Sequence, residues 1–191
     1  MSTNAAIDSS IQRKATRLRQ VADSSSEYDE LYQAHHARVL RLCRVLLADP
    51  HEAEDVSQEV FIKLFNAYST TRERVAWERW LTTVAVNACR DRRRSGWWKW
   101  WRERHQELDG AMLGETRLTP EQELSSAETM RWVWGAFRDL SARQQEVFVL
   151  RQLEGWSTDE VAAQLGVSPG SVKRHLFRAV HQLRTALRGR P

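Results

Sequence analysis

Between Ser157 and Pro169 the chain carries a sequence of helix start and stop signals that leaves little freedom in how it folds. Ser157-Thr158-Asp159-Glu160 is a capping box, in which the Ser157 hydroxyl accepts from the Glu160 amide and the Glu160 carboxylate accepts from the Ser157 amide. A short helix over 158–165 follows, with Val161, Ala162 and Leu165 inward, and Gly166 supplies the left-handed residue that ends it. Ser168 caps the next helix, with Pro169 at its first position. A short helix, a tight turn and a longer capped helix predict a helix-turn-helix.

The longer helix divides into two faces. Val172, Leu176, Ala179, Val180, Leu183 and Leu187 form the predicted buried stripe, whereas Lys173, Arg174, Phe177, Arg178 and His181 lie elsewhere. An exposed helix bearing cations, an aromatic ring and no acid suits a DNA major groove. Arginine bridges guanine in a bidentate fashion, Lys and Arg hold phosphates, and a phenyl ring touches a thymine methyl.

The remaining sequence is helical in pattern too. Tyr28, Leu31, Tyr32, Val39, Leu42, Cys43 and Leu46 recur at helical steps. Asp49 caps a second helix with Pro50 at its first position. This helix is predicted to bury Val56, Val60, Phe61, Leu64 and Phe65 and to show Asp55, Gln58, Glu59 and Ile62 on its other side. After a polar break over Ser69 to Arg74, a third helix places Trp77, Trp80, Leu81, Val84, Ala85 and Ala88 on one stripe, and Thr83, Val86, Asn87 and Arg90 on the other. Trp132, Val133, Ala136, Phe137 and Leu140 mark a further helix from about Ser126, and Ser141 caps one that buries Val147, Phe148 and Leu150. With only 8 Gly and 4 Pro in 191 residues, a turn-rich β sandwich is excluded. The prediction is an all-α chain of two small helical domains, 27–96 and 127–188, joined by a flexible linker over 97–126, with 1–26 as a mobile arm.

Charge is sorted along this layout. Asp49, Glu52, Glu54, Asp55 and Glu59 form an acidic run without Lys or Arg, and Arg90, Arg92, Arg93 and Arg94 follow in a basic one. His105 to Ala127 is acidic, and Gly170 to Arg190 holds Lys173, Arg174, Arg178, Arg184, Arg188 and Arg190 with no acid at all. A net charge of +4 distributed this way points to two surfaces that meet polyanions.

Other classes are set aside by what the sequence lacks. Cys43 and Cys89 cannot make a disulfide scaffold and fall on or beside apolar stripes, which makes them core residues. His35, His36 and His51 have no Cys or carboxylate at ligand spacing, so no metal and no cofactor is expected. Without a nucleophile triad, P-loop or dinucleotide fingerprint, no catalysis by this chain alone is expected. No run is long and apolar enough to span a membrane, and 1–26 has no apolar core of a secretory signal, so the expected location is cytoplasmic.

Two blocks carry a family resemblance. Leu140-Ser-Ala-Arg-Gln-Gln-Glu-Val-Phe-Val-Leu-Arg, Glu154-Gly-Trp-Ser-Thr-Asp-Glu-Val-Ala and Val167-Ser-Pro-Gly-Ser-Val-Lys-Arg resemble region 4 of bacterial extracytoplasmic-function (ECF) sigma factors. Glu52-Ala-Glu-Asp-Val-Ser-Gln-Glu-Val-Phe-Ile-Lys and Trp80-Leu-Thr-Thr-Val-Ala-Val-Asn resemble region 2. The resemblance implies that Asp55, Gln58, Glu59 and Ile62 dock on the clamp coiled coil of the largest subunit of core RNA polymerase, with the second domain at the β flap. It implies that Asn87 holds a flipped base of the −10 element, with Trp77, Arg90 and Arg93 beside the melted strand. It assigns Ser171, Lys173, Arg174, Phe177 and Arg178 to the −35 element of promoter DNA, with His175 standing where Arg is common. It further implies an anti-sigma factor, often membrane-anchored, that holds the protein inactive, and an acidic linker that follows the RNA path of the polymerase. The segment Arg72-Glu73-Arg74-Val75 and Trp77 depart from the family pattern, so the base read there is not fixed by the resemblance.

Two other readings compete. A helix-turn-helix regulator of the response-regulator output type fits Val172-Lys173-Arg174-His175 loosely but calls for a βα pattern upstream, which 27–96 lacks. A polymerase-binding inhibitor would use the acidic helix and have no need of Lys173, Arg174 and Arg178. The run Trp97-Trp98-Lys99-Trp100-Trp101 fits packing on the first domain, a partner groove, unpaired bases or a membrane interface.

Overall fold

A computed structural model describes residues 27–70, 75–95 and 120–188, the side chains of 69 and 120–128 excepted. The arm 1–26, the loop 71–74, the Trp-rich run 97–101 and the acidic stretch to 119 lie outside the described residues. Among the described residues every regular element is helical. The first domain consists of α1 (27–47), α2 (Pro50–Thr70) and α3 (Trp77–Arg94). The second consists of α4 (Pro120–Arg138), α5 (Ala142–Phe148), a π turn (Val149–Leu153), α6 (Thr158–Leu165) and α7 (Pro169–Arg188).

The end signals act as the sequence requires. The Asp49 carboxylate accepts from the Glu52 amide at 2.8 Å. Ser141 and Ser157 each close a capping box, with Gln144 and Glu160 respectively. Ser168 accepts from the Ser171 amide at 3.2 Å. Gly166 adopts φ 63°, ψ 41° and ends α6. The π turn closes when the Glu154 amide donates to the Val149 carbonyl at 3.0 Å, and Gly155 then reverses the chain at φ 69° so that Trp156 folds back into the core.

Val39, Leu42, Cys43 and Leu46 of α1 meet Val56, Val60, Phe61 and Leu64 of α2 and Leu81, Ala85 and Cys89 of α3 in the first core. Phe137, Leu140, Val147, Leu150, Trp156, Val161, Leu165, Val172, Ala179 and Leu183 fill the second. Both cysteines are buried, and the Cys89 thiol is pushed up by its hydrogen bond with Cys43 and by burial, as suits inert core thiols.

Several details differ from the sequence reading. Phe65 is 56% exposed, because the end of α2 outruns the core, and its ring meets Tyr28 edge to face, 5.3 Å away. Val86 is buried, because α3 is covered on more than one side. Phe148 is half-buried, its place in the core taken by Val149 as the π turn widens the helix. Trp132 and Leu187 are exposed, and a shallow groove lined by Trp132, Gly135, Ala136 and Ala186 runs beside them. Helix α4 starts at Pro120 rather than near Ser126, with the proline at its first position.

Ala48, between α1 and α2, also sits in the left-handed region, at φ 57°. A side chain there is strained, whereas Gly166 avoids that strain. Gly166→Ala is therefore expected to lose about 1 kcal/mol of stability and Ala48→Gly to gain up to about 1 kcal/mol. Equilibrium urea unfolding of the two variants checks both signs.

Candidate nucleic-acid interface

Three faces of the molecule carry the residues singled out in the sequence. The first is on α2. Asp55, Gln58, Glu59 and Ile62 are all exposed, with Ile62 at 62%. At about 100° per residue Phe65 falls within about 20° of Gln58, so it joins this face. The sequence reading missed it by counting Phe65 with the core; the seven-residue step from Gln58 was the available signal. Glu59 is tied back to α3 through Arg92, at 2.9 Å. The result is a carboxylate patch around two exposed apolar side chains, a form that suits a basic helical partner.

The second face is on α3. Trp77 packs between Tyr68 and Trp80, each 5.6 Å away ring to ring. The Asn87 side-chain oxygen accepts from Arg90 at 3.3 Å and from Gln164 of α6 at 3.3 Å. Arg90 lies against Glu146 of α5 at 3.1 Å, and Arg93 donates to Gln145. Asn87, Arg90 and Arg93 are thus together, as the helical spacing requires, and each bonds to the second domain. The sequence did not disclose those partners, which lie between 52 and 77 positions away.

The third face is on α7. Lys173, Arg174, Phe177, Arg178, His181, Arg184 and Arg188 are exposed on a helix without a single acid, and Phe177 is 72% exposed. The His181 ring lies 6.1 Å from Phe177, nearly parallel at 9°, which props the phenyl ring outward. Ser171 is half-buried and shares a hydrogen bond with Ser168, so it serves the cap as well as the face. His175 turns the other way: burial, then Arg143, Arg178 and Arg174, hold its pKa below the ordinary value, which favours the neutral ring. It adds shape rather than charge.

Residues 31–99 match the Sigma-70 region 2 family and residues 130–183 match the Sigma-70, region 4 family. The ECF RNA polymerase sigma factor SigL of Mycobacterium tuberculosis is 33% identical over 162 residues, which span 82% of this chain and 86% of SigL. The chain belongs to the ECF sigma factors. The RNA polymerase sigma-E factor of Streptomyces coelicolor is 29% identical over 162 residues, covering 84% of this chain and 86% of that protein. Among solved structures, the sigma factor RpoE of Bartonella quintana, in complex with the anti-sigma factor NepR, matches with a TM-score of 0.62 at 20% identity, covering 86% of this chain and 99% of RpoE. CnrH, in complex with the cytosolic domain of CnrY, matches with a TM-score of 0.58 at 21% identity, over 89% of this chain and 96% of CnrH. The two-domain helical architecture is therefore that of known sigma factors, and among the described residues no helix is long and apolar enough to cross a membrane.

Glu160 of this sigma factor links the cap of α6 to the α3 face, since its carboxylate also pairs with Arg79. Hydrogen bonds from Ser157 and then Arg79 hold its pKa at about 2, against an ordinary 4.5. A lowered folded-state pKa stabilises the fold fully above about pH 4.5, and that contribution fades as pH falls toward about 2. Glu160→Gln keeps a box-closing acceptor and loses the titration. Between about pH 5 and about pH 3 the urea midpoint is expected to fall less steeply in Glu160→Gln than in the wild type.

Proposed function

We propose that this sigma factor docks on core RNA polymerase through the α2 face, with its second domain at the β flap. Asp55, Gln58, Glu59 and Ile62, with Phe65 added, meet the clamp coiled coil of the largest subunit. Ser171, Lys173, Arg174, Phe177 and Arg178 of α7 read the duplex −35 element, and Asn87, Arg90, Arg93 and Trp77 of α3 receive the melted −10 strand. Domain one is assigned to 27–96 and domain two to 127–188, with 97–126 between them. The polymerase supplies the chemistry; this chain chooses where it starts.

The observation that carries this reading is the segregation of the three faces: acidic and apolar on α2, amide and cation on α3, and cation without acid on α7. A plain helical hairpin has no reason to keep α7 free of acids over its whole length. RpoE is bound to the anti-sigma factor NepR and CnrH to the cytosolic domain of CnrY, which supports an anti-sigma factor as the regulator here, itself membrane-anchored and acting on a cytoplasmic sigma factor.

Wild type is expected to co-elute with purified core polymerase, and Asp55→Arg to weaken that association by about 10-fold or more, as like charge is set against a basic helix. No co-elution of the wild type would overturn the reading. On a promoter, Lys173→Ala is expected to weaken binding across sequences and reduce the salt slope by about 1. Phe177→Ala is expected instead to change the ranking of −35 sequences, measured by binding to a randomised duplex library.

A further inference from the structure

The first residues of α1 lie at the edge of the α2 face. Tyr68, near the end of α2, donates to the Glu27 carboxylate. Tyr28 meets Phe65 edge to face at 5.3 Å and donates to the Phe61 carbonyl at 3.4 Å. Residues 1–26 therefore join the fold beside Ile62 and Phe65. Among the described residues of the first domain, these are the large apolar side chains left exposed.

Along α2 this face is graded. At about 100° per residue, Glu54, Asp55, Gln58, Ile62 and Phe65 share one stripe. Its first part carries the exposed carboxylates of Glu54 and Asp55, and its last part carries Ile62 and Phe65. The pair that Glu54 makes with Arg44, at 3.2 Å, leaves its side chain half-exposed.

The sequence of the arm carries the complement. Ser9-Ser10-Ile11-Gln12 has the pattern of a capping box, and Asp23-Ser24-Ser25-Ser26 breaks the periodicity before α1. Between these signals, residues 9–22 hold Arg13, Lys14, Arg17 and Arg19 and no acid. At helical spacing Ile11, Lys14, Leu18 and Val21 share one stripe with Arg17 at its border, whereas Arg13 and Arg19 fall on the other side. Leu18 and Val21 are three residues apart, as are Ile62 and Phe65. With those pairs set against each other, Lys14 comes opposite Gln58, within a turn of Asp55 and Glu54. The four residues 23–26 span up to about 14 Å, enough to turn the chain back across the 8–10 Å typical of packed helices.

We propose that residues 9–22 fold back as a basic amphipathic helix on the α2 face and withhold it from core polymerase until the polymerase displaces them. The inference rests on the assignment of Asp55, Gln58, Glu59 and Ile62, with Phe65, to polymerase docking. Leu18 and Val21 cover Ile62 and Phe65, and Lys14 and Arg17 meet the carboxylates. The tether sets the local concentration of the arm in the mM range, so a contact too weak to last between separate molecules is occupied within one chain. Exposed ion pairs and a small apolar contact hold it loosely, which keeps it displaceable by a larger partner.

Two measurements on the full-length chain test this. Carbodiimide coupling joins a lysine amine directly to a carboxylate, and peptide mass locates the product. Lys14 is the one lysine in residues 1–26. The wild type is expected to join Lys14 to Asp55, Glu54 or Glu59 within a monomer, at a yield independent of dilution. Titration against purified core polymerase then compares Lys14→Glu/Arg17→Glu with Arg13→Glu/Arg19→Glu. Each reverses two charges of the arm, outside both cores, and only the first does so on or beside the apolar stripe. The first is expected to bind about 5- to 10-fold tighter than the second, as when an arm-free fraction of about a tenth becomes the whole. No Lys14 product on the α2 carboxylates would overturn the docking, whatever the affinities. A product between two chains that fades on dilution would overturn it too and assign the face to a second copy. A product within one chain, with equal affinities or weaker binding by the first variant, would overturn the masking. If no form of the chain binds core polymerase, the polymerase reading of α2 has failed and the masking falls with it, while the Lys14 product still decides whether the arm docks.

Discussion

The geometry of the second domain depends on how α6 begins and ends. At its start, Ser157 and Glu160 satisfy one another's backbone amides. At its end, Gly166 turns left-handed and hands the chain to Ser168, whose hydroxyl accepts from the Ser171 amide in the first turn of α7. Between these fixed points Val161, Ala162 and Leu165 have one way to face the core, and Val172, Ala179 and Leu183 of α7 follow from the turn. The direction in which Lys173, Arg174, Phe177 and Arg178 point is thus set by caps and a glycine that touch no DNA themselves.

How far the sequence could be read differs from one residue to the next, for physical reasons. Caps and turns were legible at Asp49, Ser141, Ser157, Gly166 and Ser168, because capping is a contact between residues three apart. Helical periodicity placed Val56, Val60 and Leu64 in the core and Asp55, Gln58 and Ile62 outside it. Periodicity gives a direction around a helix but not where along it the neighbours stop. That is why Phe65 was assigned to the core and is exposed, and why Val86 was assigned to the surface and is buried. The family blocks named Asn87 and Arg90, yet Gln164 and Glu146, which bond to them, carry no sequence signal. A pairing between residues far apart depends on the docking of two domains, and no local pattern encodes it.

The alternation of charge along the chain has a structural sense once the domains are together. The second domain is two-sided. Its acids Glu146, Glu154 and Glu160 lie on α5, beside the π turn and on α6, toward the arginines of α1 and α3. Lys173, Arg174, Arg178, Arg184 and Arg188 lie on α7, which has no acid to spoil the field that a duplex would meet. An even mixture of charges would give each side a weaker field and would bind the first domain and the duplex with less distinction.

That division also bears on how readily the two domains would separate. An apolar interface of the same extent would have to expose its area to water on opening, a cost that grows with every square ångström. Paired charges regain hydration as they separate, so the electrostatic loss and the solvation gain nearly cancel. Separation would leave the guanidinium groups of Arg38, Arg79 and Arg90 open to water or to other anions. A contact held by charges in this way weakens as salt rises and depends on the number of carboxylates rather than on core packing.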